Sequence, residues 1–384
     1  MDIPFIPVLL ISHLAATLIG GLGLRLLFAS KNRDPQYGLM LGAGVGLVGG
    51  LAAVYLLWLS FAYLISTRTW KDIDAGVDPP LLTERTKRDI AKTFTVFFLV
   101  IPGMTVFFLF VLYPIIRAAN YSFYDWKGFG DPTDYVKFAN YEKLREHKVF
   151  RDTLSNSFKL MGLSLMVQLP LAMLLALLVG RGNLPGRRIF RFLLFVPYVF
   201  SEVIAAIIWM YVFHPTSGLA NMTLDAILPS YTNIAFLGEK EYVLYAIFTV
   251  VTWKFFGFHL ILYMAGLQGV PKDLEEAARV DGAAWWQVLG RVTMPLMAST
   301  IRLTVYLSVL GSFQQFVIVQ VLTRGGDPYN TGHVITTYLY KYGLKHLRIG
   351  YGSAVAVLLF AMTLLFSLGY QRMLMRRDYQ EAGR

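Results

Sequence analysis

The chain has 384 residues, of which 56% are hydrophobic and only 15% are charged, with no cysteine and a formal net charge of +11. This composition excludes a disordered protein and a small secreted module held by disulfides, and the scattering of the 35 Lys and Arg between long apolar runs argues against a nucleic-acid surface. We therefore expect a polytopic membrane protein.

Eight apolar runs are long enough to cross a bilayer, since a hydrocarbon core of about 30 Å needs about 20 helical residues. None alternates as a membrane β-barrel strand does, so the predicted fold is all-α. The first run is interpreted as a retained helix and not a signal peptide, because residues 1–7 contain no basic side chain. The runs are 5–28, 39–65, 94–116, 158–179, 189–213, 242–267, 297–322 and 351–374.

These eight runs predict four regions. Residues 1–66 form a two-helix transmembrane hairpin, 67–93 a cytoplasmic linker, 94–374 a six-helix core and 375–384 a cytoplasmic tail. The orientation follows from basic residues, because cytoplasmic loops are enriched in Lys and Arg. With both termini inside, the cytoplasmic segments hold 17 basic residues and the opposite, longer segments hold 14.

Nucleotide and metal sites are not predicted in this chain. A GxGxxG series at 44–49 lies inside an apolar run, where Gly42, Gly46 and Gly50 are typical of close helix packing in a membrane. No GxxxxGK[ST] sequence occurs, so any ATP that drives transport must be bound by another chain. The six histidines have no metal-ligand spacing, and no catalytic group is identified.

The loop at 268–296 carries the strongest pattern. Pro271 is placed to begin a helix, and Asp273, Glu275 and Glu276 favour its positive N-terminal end. Gly282 then permits a turn that ends it.

A second, amphipathic helix is predicted after this turn. Trp286, Leu289 and Val292 would share one side before Pro295 leads into the next span. One interpretation of the two helices is an interfacial pair that lies on the lipid headgroups.

The same loop reads Glu276-Ala277-Ala278, three residues, Gly282, nine residues, Val292-Thr293-Met294-Pro295. This resembles the EAA, x3, G, x9, I, x, LP signature of the membrane subunits of binding-protein-dependent ABC importers. The resemblance implies that the loop docks into a cleft of an ATPase subunit, where Glu276 would meet a basic partner. The residues it assigns to ATPase coupling are Glu276, Ala277, Ala278, Asp281, Gly282 and Pro295.

The resemblance covers 94–374 and is closest to the carbohydrate branch, the maltose and glycerol-phosphate type, some of which also carry an extra N-terminal hairpin. It rests on Phe138-Ala139-Asn140-Tyr141 with Asn156, on Gly218 and Asn221, and on 323–328 with Thr331, where Asp327 interrupts the TxGGP segment.

The resemblance implies that this chain forms half of a sugar pathway in the cytoplasmic (inner) membrane of a bacterium or archaeon. The implied partners are a second homologous permease, an ATPase dimer that holds ATP and Mg, and an extracytoplasmic solute-binding protein. No cofactor is expected on this chain.

Polar residues on the seventh span are candidates for the substrate path. Ser308, Ser312 and Gln315 fall at i, i+4 and i+7 on one helical face, and their hydroxyl and amide groups suit sugar hydroxyls. The alternative is a polar seam against a neighbouring helix.

Two charges fall near the middle of predicted spans. Glu202 and Lys254 reach similar depth in the fifth and sixth spans, which favours an ion pair between them. The pair would be structural, or it would lie in the substrate path beside an aromatic wall of Trp253, Phe258 and His259.

Two other functions stay open at this point. A secondary, ion-coupled transporter would carry paired acids or broken helices in two repeats, and no duplication is evident. An exporter or membrane scaffold would use the loop only to dock a partner.

Overall fold

The computed structural model describes residues 100–181, 186–228 and 232–375. Within these ranges the regular structure is helical, apart from an isolated antiparallel bridge between Tyr124 and Tyr135. The chain divides into two compact units, 1–114 and 115–384, and all predicted site residues belong to the second. The predicted hairpin, linker, glycine series and residues 376–384 of the tail lie outside the described ranges, so the count of eight helices stays a prediction.

Five described helices are long and apolar enough to cross a membrane, and a bent helix pair makes a sixth candidate. They follow the order of the six predicted core spans. The helices are α1 (Val100–Tyr121), α2 (Ala139–Glu146), α3 (Lys148–Gly180), α4 (Arg187–Val199), α5 (Glu202–Val212), α6 (Leu219–Ile227), α7 (Val243–Gln268), α8 (Lys272–Val280), α9 (Trp285–Val288, continuing through Leu289–Thr293 and Met294–Leu296), α10 (Ala298–Leu322), α11 (Ile335–Tyr338) and α12 (Ile349–Leu374).

The predicted continuous span at 189–213 is wrong, because α4 and α5 meet at an angle of 102°. Phe200 and Ser201 are extended, with ψ of 151° and 150°, which ends α4. The Ser201 hydroxyl then accepts a hydrogen bond from the Ile204 amide at 3.3 Å, and Glu202 follows in the first turn of α5. A serine cap followed by an acidic residue starts a new helix inside an apolar run.

The helices define two ends of the second unit. α3 and α7 run in the same direction, since Gly180 lies against Met264 and Leu267 near the ends of both. α10 starts at this end, where Gly266 lies against Thr300, and α12 returns to it. We call it the loop end, because it carries 268–296, and we call the opposite end, with 122–147 and 323–348, the distal end.

Close packing brings α3 and α4 against α7. Ala172, Ala176 and Leu260 are fully buried in one apolar cluster at the loop end. A Cβ atom at Gly257 would lie 2.6 Å from the Leu194 carbonyl oxygen, so the crossing of α4 and α7 requires glycine. Small residues at helix crossings are the usual means of bringing membrane helices together.

Candidate functional site

The first half of the loop forms α8, as the sequence predicts. Pro271 is extended, with ψ of 129°, and the helix begins at Lys272 with Asp273 and Glu275 in its first turn. Glu276 and Ala277 are exposed, Ala278 is half-buried, and Asp281 is the exposed residue that ends the helix.

Gly282 completes a Schellman turn after α8. Its φ is +85°, its amide donates to the Arg279 carbonyl at 3.0 Å, and the Ala283 amide donates to the Ala278 carbonyl at 3.0 Å. This pair of bonds satisfies the free carbonyls at a helix end and needs a left-handed residue four positions after Ala278. The turn therefore explains the three-residue spacing between Ala278 and Gly282 in the motif.

The second half, α9, is braced against α8. The Thr293 hydroxyl donates to the Glu275 carboxylate at 2.5 Å, and the Gln287 side chain accepts from the Ala284 amide at 2.8 Å at the start of α9. Thr293 is 3% exposed, so the bond joins the two halves of the loop from inside. Pro295 is exposed in the last turn of α9.

The predicted apolar side of α9 is only partly correct. Leu289 and Val292 are half-buried, but Trp286 is 58% exposed, while Val288 and Thr293 are buried. The π-helical segment Leu289–Thr293 shifts the register that an ideal α-helix would have, which moves the buried face.

Large apolar side chains remain exposed on this loop. Val280 is 87% exposed and Trp285 is 73% exposed, and Leu274 and Trp286 are also exposed. Exposed apolar side chains that include tryptophan are typical of protein contact surfaces.

A cavity of about 300 Å³, the inner cavity, lies between α3, α4, α7 and α10. Ser308, Ser312, Gln315 and Phe258 all line it, so four of the six predicted substrate-path residues meet at one place. Sequence reasoning missed Ser164 and Gln168 on α3 and Tyr198 on α4, which also line it. The i, i+4 spacing of Ser164 and Gln168 inside an apolar run was the available signal.

Hydrogen bonds hold one wall of the inner cavity. The Ser164 and Ser308 hydroxyl oxygens are 2.8 Å apart, Ser164 also bonds Gln168, and the Ser312 hydroxyl donates to the Ser308 carbonyl at 2.8 Å. These bonds support the predicted polar seam, and they do not exclude the path, because the same residues face the cavity.

Two polar atoms in the cavity wall have no partner within the described structure. Gln315 Oε1 and His259 Nδ1 are buried without a hydrogen bond. Gln315 directly follows the first stretch of α10, Ala298–Gln314, and therefore lies at a break in the helix. A buried polar atom that lacks a partner is costly unless a ligand or water satisfies it.

The predicted ion pair between Glu202 and Lys254 is not formed among the described residues. The Lys254 ammonium donates to the Tyr198 carbonyl at 2.6 Å and lies 4.8 Å from the centre of the Tyr198 ring. The bend explains this outcome, because it leaves carbonyls free at the end of α4 and puts Glu202 at the start of α5. Lys254 is 4% exposed, and it contacts Tyr198 without itself lining the inner cavity.

The predicted aromatic wall is only partly correct, because two of its three residues line the inner cavity. Phe258 and His259 line the inner cavity, with Phe258 stacked on Tyr198 at 5.3 Å between ring centres. Trp253 packs instead on Phe200 and Trp209. The described residues that line the inner cavity carry no carboxylate, ammonium or guanidinium group, so the site offers uncharged donors and acceptors beside aromatic rings.

Motif residues near the distal end brace loops. The Asn156 amide donates to the Thr331 carbonyl at 2.6 Å and to the His333 carbonyl at 3.1 Å, which ties α3 to the 323–334 loop. Asn221 bonds the Pro215 and Ile234 carbonyls in the same manner, at 2.9 and 3.0 Å. These side chains fix loop geometry.

The 323–334 loop encloses a buried histidine. The Thr323 hydroxyl accepts from the Gly326 amide at 2.9 Å, and a Cβ atom at Gly326 would overlap the His333 ring. Burial, together with the Lys341 ammonium, lowers the pKa of His333 to about 4. The ring is therefore neutral over the ordinary pH range.

The comparisons with known proteins agree with this geometry. Residues 168–377 match the model of the family described as binding-protein-dependent transport system inner membrane component. The diacetylchitobiose uptake system permease protein NgcF of Streptomyces coelicolor is 30% identical over 72% of this chain and 80% of its own length. The arabinooligosaccharides transport system permease protein AraP of Bacillus subtilis is 30% identical over 70% of this chain and 84% of its own.

A solved structure has the same fold. It is that of a bacterial alginate ABC transporter in complex with an alginate pentasaccharide-bound periplasmic protein, and the matching chain has a TM-score of 0.66 at 26% identity, covering 77% of this chain and 98% of that chain. The family match spans more than half of the sequence and includes α4 to α12. The chain therefore belongs to the family of binding-protein-dependent transport system inner membrane components.

Proposed function

We propose that this chain is the non-catalytic transmembrane subunit of an ATP-driven importer and forms half of the path of a saccharide. A second permease, an ATPase dimer that binds ATP and Mg, and an extracytoplasmic solute-binding protein complete the importer. The distal end faces outward, the loop end faces the cytoplasm, and both termini are cytoplasmic.

The observation that carries the proposal is the shape of the 268–296 loop. It is a short helix ended by a Schellman turn, braced by the Thr293 to Glu275 bond, with exposed Trp285 and Val280 beside it. A pre-ordered apolar surface of this kind loses little conformational entropy on docking. In our proposal it binds the ATPase, with Glu276 meeting a basic group.

The saccharide assignment is supported by the inner cavity and by the relatives. Ser308, Ser312 and Gln315 offer uncharged hydrogen-bonding groups in the cavity that Tyr198 and Phe258 also line. Sugar hydroxyls both donate and accept, and their hydrocarbon faces fit aromatic rings. NgcF and AraP are permeases for diacetylchitobiose and arabinooligosaccharides.

Charge reversal at the loop tests the coupling role. The tagged chain is purified from its native membrane, and co-purifying proteins are identified by mass spectrometry, for wild type and for Glu276→Lys. We expect the ATPase subunit with the wild type and its loss with Glu276→Lys. The matched control is Glu142→Lys, which reverses an exposed carboxylate on α2 near the distal end and should retain the ATPase. Retention by Glu276→Lys, or equal loss from both variants, contradicts the role.

A further inference from the structure

A second cavity, the outer cavity, opens nearer the distal end on the same two helices. Its volume is about 370 Å³, and its wall includes Asp152, Asn156 and Lys159 of α3 with Tyr245 of α7. A single path through both cavities requires them to follow one another along the same helices.

The register of α3 links them. Asp152 and Asn156 line the outer cavity, while Leu160, Ser164 and Gln168 line the inner one, in steps of four residues. Residues four apart share a helix face, and the 16 positions from Asp152 to Gln168 correspond to about 24 Å at 1.5 Å per residue.

α7 repeats this arrangement. Leu244 and Tyr245 line the outer cavity, and Phe248, Val251 and Phe255 line the inner one in steps of three or four residues. On both helices the wall passes from one cavity to the other within a single turn. The two cavities therefore follow one another along α3 and α7, with the buried Leu160 and Leu244 side chains where they meet.

The outer cavity has the groups that hold a polyhydroxylated ligand. The Asp152 carboxylate accepts hydrogen bonds, the Lys159 ammonium donates them, and Tyr245, an exposed residue, adds an aromatic ring. The Asn156 amide is already bonded to the carbonyls of Thr331 and His333, so this wall is fixed before a ligand arrives. A fixed wall reduces the entropy lost on binding.

We propose that the outer cavity is a second saccharide subsite, which holds one sugar unit while the next occupies the inner cavity. This rests on the proposed importer function and narrows its substrate to a disaccharide or longer oligosaccharide. Asp152 and Lys159 make the polar contacts, and Tyr245 lies against a sugar face.

The test uses the natural absence of cysteine from this chain. Ser155→Cys places a thiol in the wall of the outer cavity, and Arg151→Cys, also exposed on α3, places one outside that wall. Each variant is reconstituted with its native partners in proteoliposomes and treated with membrane-impermeant biotin maleimide. Uptake of radiolabelled diacetylchitobiose and arabinotriose is then measured, together with ATP hydrolysis stimulated by the solute-binding protein.

We expect labelling at 155 to abolish uptake while stimulated ATP hydrolysis persists, and labelling at 151 to change neither. Uptake that survives labelling at 155 overturns the subsite. Loss of both uptake and stimulated hydrolysis also overturns it, because the label then blocks docking of the solute-binding protein. If the unlabelled wild type shows neither uptake nor ATP hydrolysis stimulated by the solute-binding protein, the proposed importer function fails, and this proposal fails with it.

A charge rescue gives a second readout. Lys159→Cys removes the ammonium group from the outer cavity, and reaction with 2-aminoethyl methanethiosulfonate restores one. We expect uptake to fall in the variant and to recover only with this reagent, whereas 2-sulfonatoethyl methanethiosulfonate leaves it low. Equal uptake after the two reagents contradicts a role for the Lys159 charge.

Discussion

Replacing Gly282 with alanine should loosen the coupling loop without any steric clash. A Cβ atom at this position meets nothing within 4 Å, so the cost is purely that of holding alanine at a φ of +85°. A left-handed backbone costs an L-residue roughly 1–2 kcal/mol. That free energy corresponds to a factor of about 5–30 in the population of the closed turn.

Hydrogen exchange of the complete importer measures this population. The Ala283 amide, which bonds the Ala278 carbonyl, should exchange about 5–30 times faster in Gly282→Ala than in the wild type. Gly282→Asn should fall between them, because asparagine tolerates the left-handed region better.

Gly290→Ala is the matched control. Gly290 also has open surroundings, but it lies in the helical segment Leu289–Thr293 with a negative φ. Alanine there should stabilise the loop by roughly 0.5–1 kcal/mol. If Gly282→Ala exchanges at the wild-type rate, or if both variants accelerate exchange alike, the turn does not depend on a left-handed glycine.

Three further changes test other parts of the molecule. Thr293→Val removes the bond to the Glu275 carboxylate and should cost about 1.5–3 kcal/mol, seen as a lower Tm of the purified importer, with Thr293→Ser near wild type; equal Tm values for the two variants would contradict the brace. Gln315→Leu should lower saccharide uptake and leave Tm unchanged or raised, because an unpaired buried carbonyl is removed; unchanged uptake would exclude Gln315 from the path. Because the pKa of His333 falls from 6.5 to about 4 on folding, the unfolded chain binds the proton first as pH drops. Stability should thus fall by about 3 kcal/mol between pH 6.5 and 4, and His333→Phe should flatten this part of the Tm profile; the same slope in both proteins would contradict the assignment.

The membrane helices and the loop motif were predictable because their causes are local. The length of an apolar run specifies a span. Helix α8 and the turn that ends it depend on one proline, three acidic residues and one glycine within a dozen residues. The same locality explains why Ser308, Ser312 and Gln315 were found together, since they share one helix face.

The bend and the cavity were harder to predict, because the bend depends on a local signal inside an apolar run and the cavity on contacts between residues distant in sequence. Ser201 and Glu202 carry a helix-start signal, but the apolar residues on both sides make the segment resemble one continuous span by hydropathy. Lys254 takes the Tyr198 carbonyl that the bend exposes, and no sequence spacing relates these two residues. The π-helical segment in α9 likewise lets Val288 and Thr293, which are five residues apart, share the buried face.

The proposed importer requires ATP to drive transport through this chain. The most direct test is uptake of radiolabelled diacetylchitobiose and arabinotriose into proteoliposomes that hold the native complex, energised either by internal ATP or by a proton gradient without ATP. We predict uptake only with ATP and the solute-binding protein. Uptake driven by the proton gradient in the absence of ATP would overturn the importer proposal and favour a secondary transporter.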